Sequence, residues 1–192
     1  MKQIQIAKAI DILKKGGVII FPTDTVWGIG ASIESNPGIK KLYQLKNRSF
    51  SKPTAVLVSG QNQAKKYGDI AGRADQIISK HWPGALTIIV PAKKSVPSLI
   101  TAGTDTVGLR APDHLLVKNL CDRLSAGIVT ASANISGNPA PVSKSEIDPS
   151  LLGLADMVLN PQENQFPLKI ASTIISVTDN HVKTLRRGTV TI

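Results

Sequence analysis

Short runs rich in apolar residues recur along the chain, a pattern typical of buried strands. The first, VIIF at 18–21, is wholly apolar and predicts a strand covered on both faces. Comparable runs stand at 54–58, 85–90, 106–110, 127–131, 157–160, 172–177 and 181–185. The last two follow each other closely, which indicates that part of the sheet is antiparallel.

Between these runs, apolar residues return at a helical spacing. The first helix has its apolar face within 6–13 and a stop signal at Gly16-Gly17. Pro37 can occupy the first turn of a second helix, which is predicted to end near Lys46. Three further helices are predicted at 69–82, at 115–124 and after Ser143, which forms a capping-box pattern with Glu146.

The alternation of apolar strands with helices predicts an α/β fold. We expect one domain over residues 1–192, because the sequence contains no repeat, linker or low-complexity run. Its sheet is predicted to be twisted, with parallel and antiparallel strands and with helices on both faces.

Composition adds the cellular setting to this picture. Hydrophobic residues make up 42% of the chain and charged residues 19%, an ordinary globular balance. The single cysteine, Cys121, cannot form an internal disulfide and lies on an apolar helical face, which favours a core thiol in a reducing compartment. No signal peptide is apparent, and no window approaches the ~18 apolar residues of a membrane span. We therefore expect a cytoplasmic protein without a membrane partner.

The net charge of +10 predicts an anionic partner. Nucleic acid is the obvious one, but most cations are scattered pairs, and two Trp, two Tyr and three Phe are few for a base-stacking surface. Direct nucleic-acid binding is thus expected to be weak at most. A non-catalytic RNA-binding module remains an alternative to an enzyme.

The segment KNRSFSKP, at 46–53, departs from this scattered pattern. It places Lys46, Arg48 and Lys52 directly before a predicted strand and contains no acid. Three like charges on one loop favour an anionic ligand bound against them. We expect all three cations to lie on a surface loop.

Polar residues also follow two other predicted strands. FPTDTVWGIGA, at 21–31, supplies hydroxyls, a carboxylate and glycines, although by itself it is typical of a tight turn. TVGLR ends in Arg110, which can bind a carboxylate or phosphate through two parallel hydrogen bonds. A salt bridge from Arg110 to Asp113 or to another acid is the alternative.

The later strands end in similar loops. TASANISGNPAP, at 130–141, offers a row of hydroxyls and amides, and Ser132 is favoured as a ligand-binding group because no G-x-S-x-G elbow is present. LRRG, at 185–188, adds two cations, and the three histidines have no metal-ligand spacing. Cations and hydroxyls without an acid–base pair favour phosphoryl or nucleotidyl transfer by positioning and charge stabilisation.

The sequence resembles the threonylcarbamoyl-AMP synthase family (YrdC/TsaC type, short single-domain form) over nearly its whole length. The matching segments, in the family's order, are FPTDTVWGIGA, LKNRSFSKP, HWPGALTIIVP, TVGLRAPDH, TASANISGNPAP, AST and LRRG. The resemblance implies a YrdC-like fold and a nucleotidyltransferase that forms threonylcarbamoyl-AMP and pyrophosphate from L-threonine, bicarbonate or CO2, and ATP. It also implies Mg2+ bound with ATP and a downstream tRNA threonylcarbamoyl transferase as partner.

The resemblance assigns roles to individual residues. The family's K-x-R and S-x-N signatures stand here as Lys46 with Arg48 and Ser132 with Asn134, and these four are the predicted catalytic residues. The residues predicted to bind ATP are Arg48, Lys52, Thr106, Ser132 and Arg186. Those predicted to bind threonine are Thr25, Arg110, Thr130 and Ser172, with Arg110 on the carboxylate.

The sequence departs from the family at three positions. Leu57 stands near a histidine with which longer relatives help to hold threonine, so that contact is expected to be missing or replaced. Ala140 and Val142 replace a serine and a threonine after the S-x-N loop, which puts one ATP contact in doubt. Because the sequence ends soon after LRRG, we expect no second domain of the longer relatives.

Overall fold

The computed structural model describes residues 2–160, 168–179 and 181–192. The α-helices in this part of the chain are Lys2–Lys14 (α1), Asn36–Leu45 (α2), Gln61–Ala64 (α3), Gly72–His81 (α4), Ser98–Thr101 (α5), Leu115–Leu124 (α6) and Pro149–Leu154 (α7). The strands are Ile19–Phe21 (β1), Gly28–Ser32 (β2), Ala55–Leu57 (β3), Leu86–Pro91 (β4), Thr106–Arg110 (β5), Ile128–Ser132 (β6), Met157–Val158 (β7), Thr173–Thr178 (β8) and His181–Arg186 (β9).

These strands form one nine-stranded sheet in the order β7-β1-β2-β6-β3-β5-β4-β8-β9. The pairs β1–β7, β3–β5 and β4–β8 are parallel, and the other neighbours are antiparallel. The predicted α/β class with a mixed sheet is confirmed, as is the antiparallel pairing of the last two strands. Among the described helices, none is long and apolar enough to cross a membrane.

Strand β2 was not predicted, because its sequence GIGAS is typical of a turn. In the structure it lies between β1 and β6 and is buried along its whole length. A Cβ atom on Gly30 would stand 2.7 Å from Ile128 Cγ2 and 2.7 Å from the Val129 carbonyl oxygen. Close packing inside the sheet therefore requires this glycine. Because glycine is also typical of turns, the sequence did not indicate a strand here.

The predicted helix after Ser143 is wrong in its start. Residues Lys144–Glu146 form only a single 3₁₀ turn, in which the Glu146 carboxylate accepts hydrogen bonds from Ser143 Oγ and from the Val142 backbone. The α-helix begins at Pro149 instead, and the Asp148 carboxylate caps it by accepting a hydrogen bond from Ser150 N at 2.8 Å. Proline disfavours helical geometry in the residue before it, so the helix cannot extend back to Ser143.

Helix α2 carries the chain into the KNRSFSKP loop. Ser35 caps its start by accepting a hydrogen bond from Gly38 N at 3.1 Å, and Pro37 lies in its first turn as predicted. Its apolar face, including Leu42 and Tyr43, is buried. Packing of this face fixes where the helix ends, and with it the position of Lys46.

Candidate active site

One face of the central sheet forms the floor of an open cavity of about 280 Å³. Residues of β3, β4, β5, β6 and β8 line it, among them Leu57, Arg110 and Ile174. Most of the predicted site residues line this cavity. They are Thr25, Arg48, Arg110, Thr130, Ser132, Ser172 and Arg186.

Arg110 lies at the cavity end of β5 and is only 7% exposed. Its Nε donates to the Gly84 carbonyl at 3.1 Å, its Nη1 to Thr25 Oγ1 at 2.8 Å and its Nη2 to Asp24 Oδ1 at 2.5 Å. Burial lowers the pKa of the guanidinium, whereas the charge of Asp24 raises it. A guanidinium has five N–H groups, so two remain for a ligand.

The salt bridge to an acid that was the alternative for Arg110 is present, and its acid is Asp24 rather than Asp113. The two are linked in another way, because the Asp113 backbone N–H donates to Asp24 Oδ2 at 3.2 Å. Asp24 thus connects the loop after β1 with the end of β5 and the start of α6. These contacts hold the guanidinium in one orientation.

Arg186, at the end of β9, is held by a different set of atoms. Its Nε donates to the Ser172 carbonyl at 3.0 Å and its Nη2 to Ser172 Oγ at 3.1 Å. Ser172 Oγ in turn lies 2.8 Å from Thr87 Oγ1. Burial lowers the pKa of Arg186, and the nearby positive charge of Arg110 lowers it further. No carboxylate of the described chain pairs with Arg186.

Lys46 does not lie on the surface as predicted. Its side chain is 2% exposed, and its Nζ donates to the carbonyl oxygens of Ser132 and Asn134, each at 2.5 Å. Its own carbonyl accepts a hydrogen bond from Ser136 N at 2.9 Å. Lys46 therefore links the K-x-R and S-x-N signatures directly and lies outside the cavity lining. Helix α2 packs on β2, and from its end the Lys46 ammonium points toward the end of β6 and the turn that follows.

This burial changes the pKa of Lys46. Desolvation by burial, together with the positive charge of Arg48, lowers its pKa from 10.5 to about 8. Because its ammonium is engaged by two carbonyl oxygens, it is placed to hold the S-x-N turn rather than a phosphate.

Arg48 is the cation of this loop that reaches the cavity. Its Nη2 donates to the Pro53 carbonyl at 2.8 Å, while its Nε is buried without a hydrogen-bond partner among the described residues. Lys52 is exposed beside it, and its carbonyl accepts a hydrogen bond from Tyr43 at 3.0 Å. Phe50 stacks on Tyr43, with ring centroids 4.9 Å apart, and this packing fastens the loop to α2.

Two more predicted residues lie beside the cavity rather than in its lining. Asn134 accepts a hydrogen bond from Ser132 Oγ at 2.5 Å, and its amide donates to the Ile135 and Asn138 carbonyls. Thr106 begins β5 on the same sheet face as Arg110, four residues away. Both are thus placed to support the site from its edge.

The structure adds lining residues that the sequence did not single out, notably Thr54, Thr87 and Trp27. Thr87 could have been found, because it is the one polar side chain in the apolar run ALTIIV. Leu57, where a histidine contact was expected to be missing or replaced, lines the cavity with an apolar surface, and Ala140 also lines it.

Comparisons with known proteins show which family this sequence resembles. The family model for Sua5, YciO and YrdC, described as Telomere recombination, matches residues 11–188. The threonylcarbamoyl-AMP synthase of Bacillus subtilis is 33% identical over 193 residues, which cover 97% of this chain and 54% of that protein. The threonylcarbamoyl-AMP synthase of an Enterobacter species is 33% identical over 168 residues, covering 82% of this chain and 88% of the relative.

A solved structure has the same fold. Sua5 of Pyrococcus abyssi in complex with L-threonine superposes with a TM-score of 0.89 at 29% identity, covering 96% of this chain and 54% of that one. This chain thus spans about half the length of the Bacillus and Pyrococcus relatives and most of the Enterobacter one. With the family model matched over nearly its whole length, the chain belongs to the Sua5/YciO/YrdC family.

Proposed function

We propose that this protein is an L-threonylcarbamoyladenylate synthase. It would form threonylcarbamoyl-AMP and pyrophosphate from L-threonine, bicarbonate or CO2, and ATP. The names of the relatives and the L-threonine complex of the Pyrococcus protein support this function.

The observation that carries the proposal is the charge of the cavity. Three guanidinium groups, those of Arg48, Arg110 and Arg186, surround a floor of hydroxyl and apolar groups, and no carboxylate lies in the described lining. Such a site favours ligands with several negative charges. An amino-acid carboxylate and a triphosphate together fit this description.

The site residues fall into a group that would bind threonine and a group that would bind ATP. Arg110, with Thr25, Thr130 and Ser172, would hold threonine, and the two free N–H groups of Arg110 suit its carboxylate. The residues that would face ATP are Arg48, Lys52, Thr106, Ser132 and Arg186. Asn134 and Lys46 would keep the Ser132 turn in place.

The chemistry then needs orientation more than acid–base catalysis. The neutral amine of threonine bonds to the carbon of CO2 and releases one proton, which gives a carbamate; from bicarbonate, water leaves as well. A carbamate oxygen then attacks the α-phosphorus in line while pyrophosphate leaves. Negative charge grows on the leaving pyrophosphate, where Arg48 and Lys52 would stabilise it. Holding both reactants in one cavity supplies the required alignment.

Magnesium would enter with the ATP phosphates. The lining offers hydroxyl and guanidinium groups, and the described chain has no cluster of three acidic, histidine or cysteine residues. These groups fit the oxygens of a metal-bound triphosphate better than a bare cation. Bound in this way, the ion would offset charge on the leaving group.

The setting of the reaction is part of the proposal. The product is a reactive mixed anhydride, which a tRNA threonylcarbamoyl transferase would consume. The cytoplasm would supply the three substrates and tRNA. The hydrogen bonds that orient the cavity cations favour an enzyme over the alternative, a non-catalytic RNA-binding module.

The test is pyrophosphate release measured with each substrate left out in turn. We expect release only when ATP, L-threonine and bicarbonate are present together, with threonylcarbamoyl-AMP detected by mass spectrometry. Release that does not depend on threonine, or tight tRNA binding without any release, would contradict the proposal.

A further inference from the structure

The loop that carries Arg48 begins at the last turn of α2. Asn47 has a φ of 48°, in the left-handed region, and its backbone N–H donates to the Gln44 carbonyl at 3.0 Å. The backbone N–H of Arg48 then donates to the Tyr43 carbonyl at 2.9 Å. These two bonds form a Schellman motif, which ends a helix and sets the direction in which the chain leaves it. The backbone of Tyr43 therefore fixes where the loop begins.

The side chain of Tyr43 reaches the other end of the same loop. Tyr43 is 1% exposed, and its hydroxyl donates to the Lys52 carbonyl at 3.0 Å. The same hydroxyl accepts a hydrogen bond from Thr54 Oγ1 at 2.7 Å. A phenol can donate one hydrogen bond and accept another, so this buried hydroxyl is used in both ways.

Pro53 lies between the two residues that the Tyr43 hydroxyl holds, and its carbonyl orients Arg48. The Arg48 Nη2 group donates to that carbonyl at 2.8 Å. Arg48, Pro53 and Thr54 all line the cavity, whereas Tyr43 does not. Tyr43 therefore holds both neighbours of the acceptor of Arg48 from behind the cavity wall.

The stacking of Phe50 on Tyr43 is a separate contact. The two rings are 21° from parallel, and Phe50 is largely exposed. Stacked rings can slide over each other, whereas a hydrogen bond fixes both the distance and the direction between its atoms. Replacing Tyr43 with phenylalanine keeps the stacked pair and removes only the hydroxyl, so the two contacts can be tested apart.

We propose that Tyr43 is a positioning residue for ATP, whose hydroxyl orients Arg48 and Lys52 toward the triphosphate through residues 52–54. The inference rests on the proposed function, in which these two cations face ATP. Because Tyr43 lies outside the lining, it would act through them and not through contact with a substrate. Charges stabilise a phosphate group best when the protein already holds them in place, so a looser guanidinium should bind ATP less tightly.

The test compares Tyr43→Phe with the matched control Tyr67→Phe. Tyr67 is also buried, and its hydroxyl accepts a hydrogen bond from Gly127 N at 2.8 Å, outside the cavity lining. Both changes remove one buried hydroxyl, so a general loss of stability should appear in both during denaturant unfolding. In pyrophosphate release, only Tyr43→Phe should raise the apparent Michaelis constant for ATP, about fivefold to tenfold, with the constant for threonine within about twofold. A rise in neither variant, or an equal rise in both, would contradict the proposal.

Thr54→Val tests the same chain of hydrogen bonds from its other end. It removes the donor to the Tyr43 hydroxyl, so it should raise the constant for ATP as well. The double variant Tyr43→Phe/Thr54→Val should match Tyr43→Phe within about twofold, because both changes break one unit. Losses that add would show that Thr54 acts on ATP by itself, and they would overturn this chain.

Limited trypsin digestion measures the order of the loop without any substrate. Trypsin cleaves after arginine, and cleavage between Arg48 and Ser49 should be roughly threefold faster or more in Tyr43→Phe and in Thr54→Val, because the loop opens more often. Tyr67→Phe should be cleaved there at the rate of the unchanged protein. Equal rates in all four proteins would contradict the positioning of the loop, and Thr54→Val keeps this test available if Tyr43→Phe does not fold.

A binding measurement separates this inference from the proposed function. Calorimetry with ATP and Mg2+, without threonine, should show binding to Tyr43→Phe that is about fivefold to tenfold weaker than to the unchanged protein or to Tyr67→Phe. Absence of pyrophosphate release from the unchanged protein would refute the synthase activity and leave this comparison of affinities intact. Equal ATP affinity in Tyr43→Phe and the unchanged protein would refute the role of Tyr43 alone.

Discussion

Replacing Lys46 with methionine separates the two roles that a buried cation can have. Methionine is unbranched and apolar, so it fills the site of the lysine stem and removes only the ammonium. Leaving the carbonyls of Ser132 and Asn134 without their donor costs about 1–3 kcal/mol each. Against this, the lowering of the pKa of Lys46 from 10.5 to about 8 means that burying the charge costs about 3 kcal/mol, at 1.36 kcal/mol per pKa unit.

The two carbonyls together cost about 2–6 kcal/mol. The burial cost of the charge offsets much of this, so the free energy of unfolding should change by no more than about 3 kcal/mol at pH 7. Synthesis should nevertheless fall at least tenfold, because the turn that carries Ser132 loses its tether to α2. A tenfold loss corresponds to about 1.4 kcal/mol, which is within the worth of one hydrogen bond from a charged group.

The assays are denaturant unfolding and pyrophosphate release, measured on the same preparations. Lys40→Met serves as the control, because Lys40 is an exposed lysine of α2, and both of its readings should match those of the unchanged protein. A stable Lys46→Met protein with near-normal synthesis would refute the tether. Loss of folding in that variant would refute the offset between the two energy terms.

Three further predictions follow from the site. The unfolded protein keeps the Lys46 proton up to about pH 10.5 and the folded protein only up to about pH 8. As pH rises through that window, the free energy of unfolding of the unchanged protein should therefore increase by up to about 3 kcal/mol relative to that of Lys46→Met, as measured by urea unfolding. Equal pH profiles would contradict the buried charge. In Arg110→Lys, the lysine cannot replace the guanidinium that Thr25 and Asp24 hold in place. The apparent Michaelis constant for threonine should therefore rise at least tenfold in steady-state kinetics, with the constant for ATP within twofold. An unchanged constant for threonine would contradict this role. Binding of tRNA should be weak, steeply salt-dependent and without sequence preference in filter titrations, and tight selective binding near physiological salt would show an RNA surface.

The sequence was most informative where one local pattern determined one element. Pro37 and the apolar positions after it placed α2 correctly, and the seven family segments pointed to most of the residues that line the cavity. It was less informative where an interaction joins distant residues. The pairing of Arg110 with Asp24 spans 86 positions, and no local spacing reveals it.

Lys46 shows the same limit more clearly. A lysine among other cations at the end of a helix favours a solvent-exposed position. Only the tertiary contacts with the Ser132 and Asn134 carbonyls turn it inward. The glycines of β2 were misleading for a related reason, because a residue chosen for a tight fit between strands resembles one chosen for a turn. Tertiary packing decided both positions.

The place of β6 in the sheet has a consequence for synthesis on the ribosome. This strand separates β2 from β3 and pairs with both, yet it follows them in the chain by about a hundred and about seventy residues, respectively. Until Ile128–Ser132 has emerged, β2 and β3 each keep an unpaired apolar edge, the kind of surface that leads nascent chains to aggregate. Most of this protein must therefore be made before its sheet can close, so the growing chain should depend on chaperones until β6 inserts.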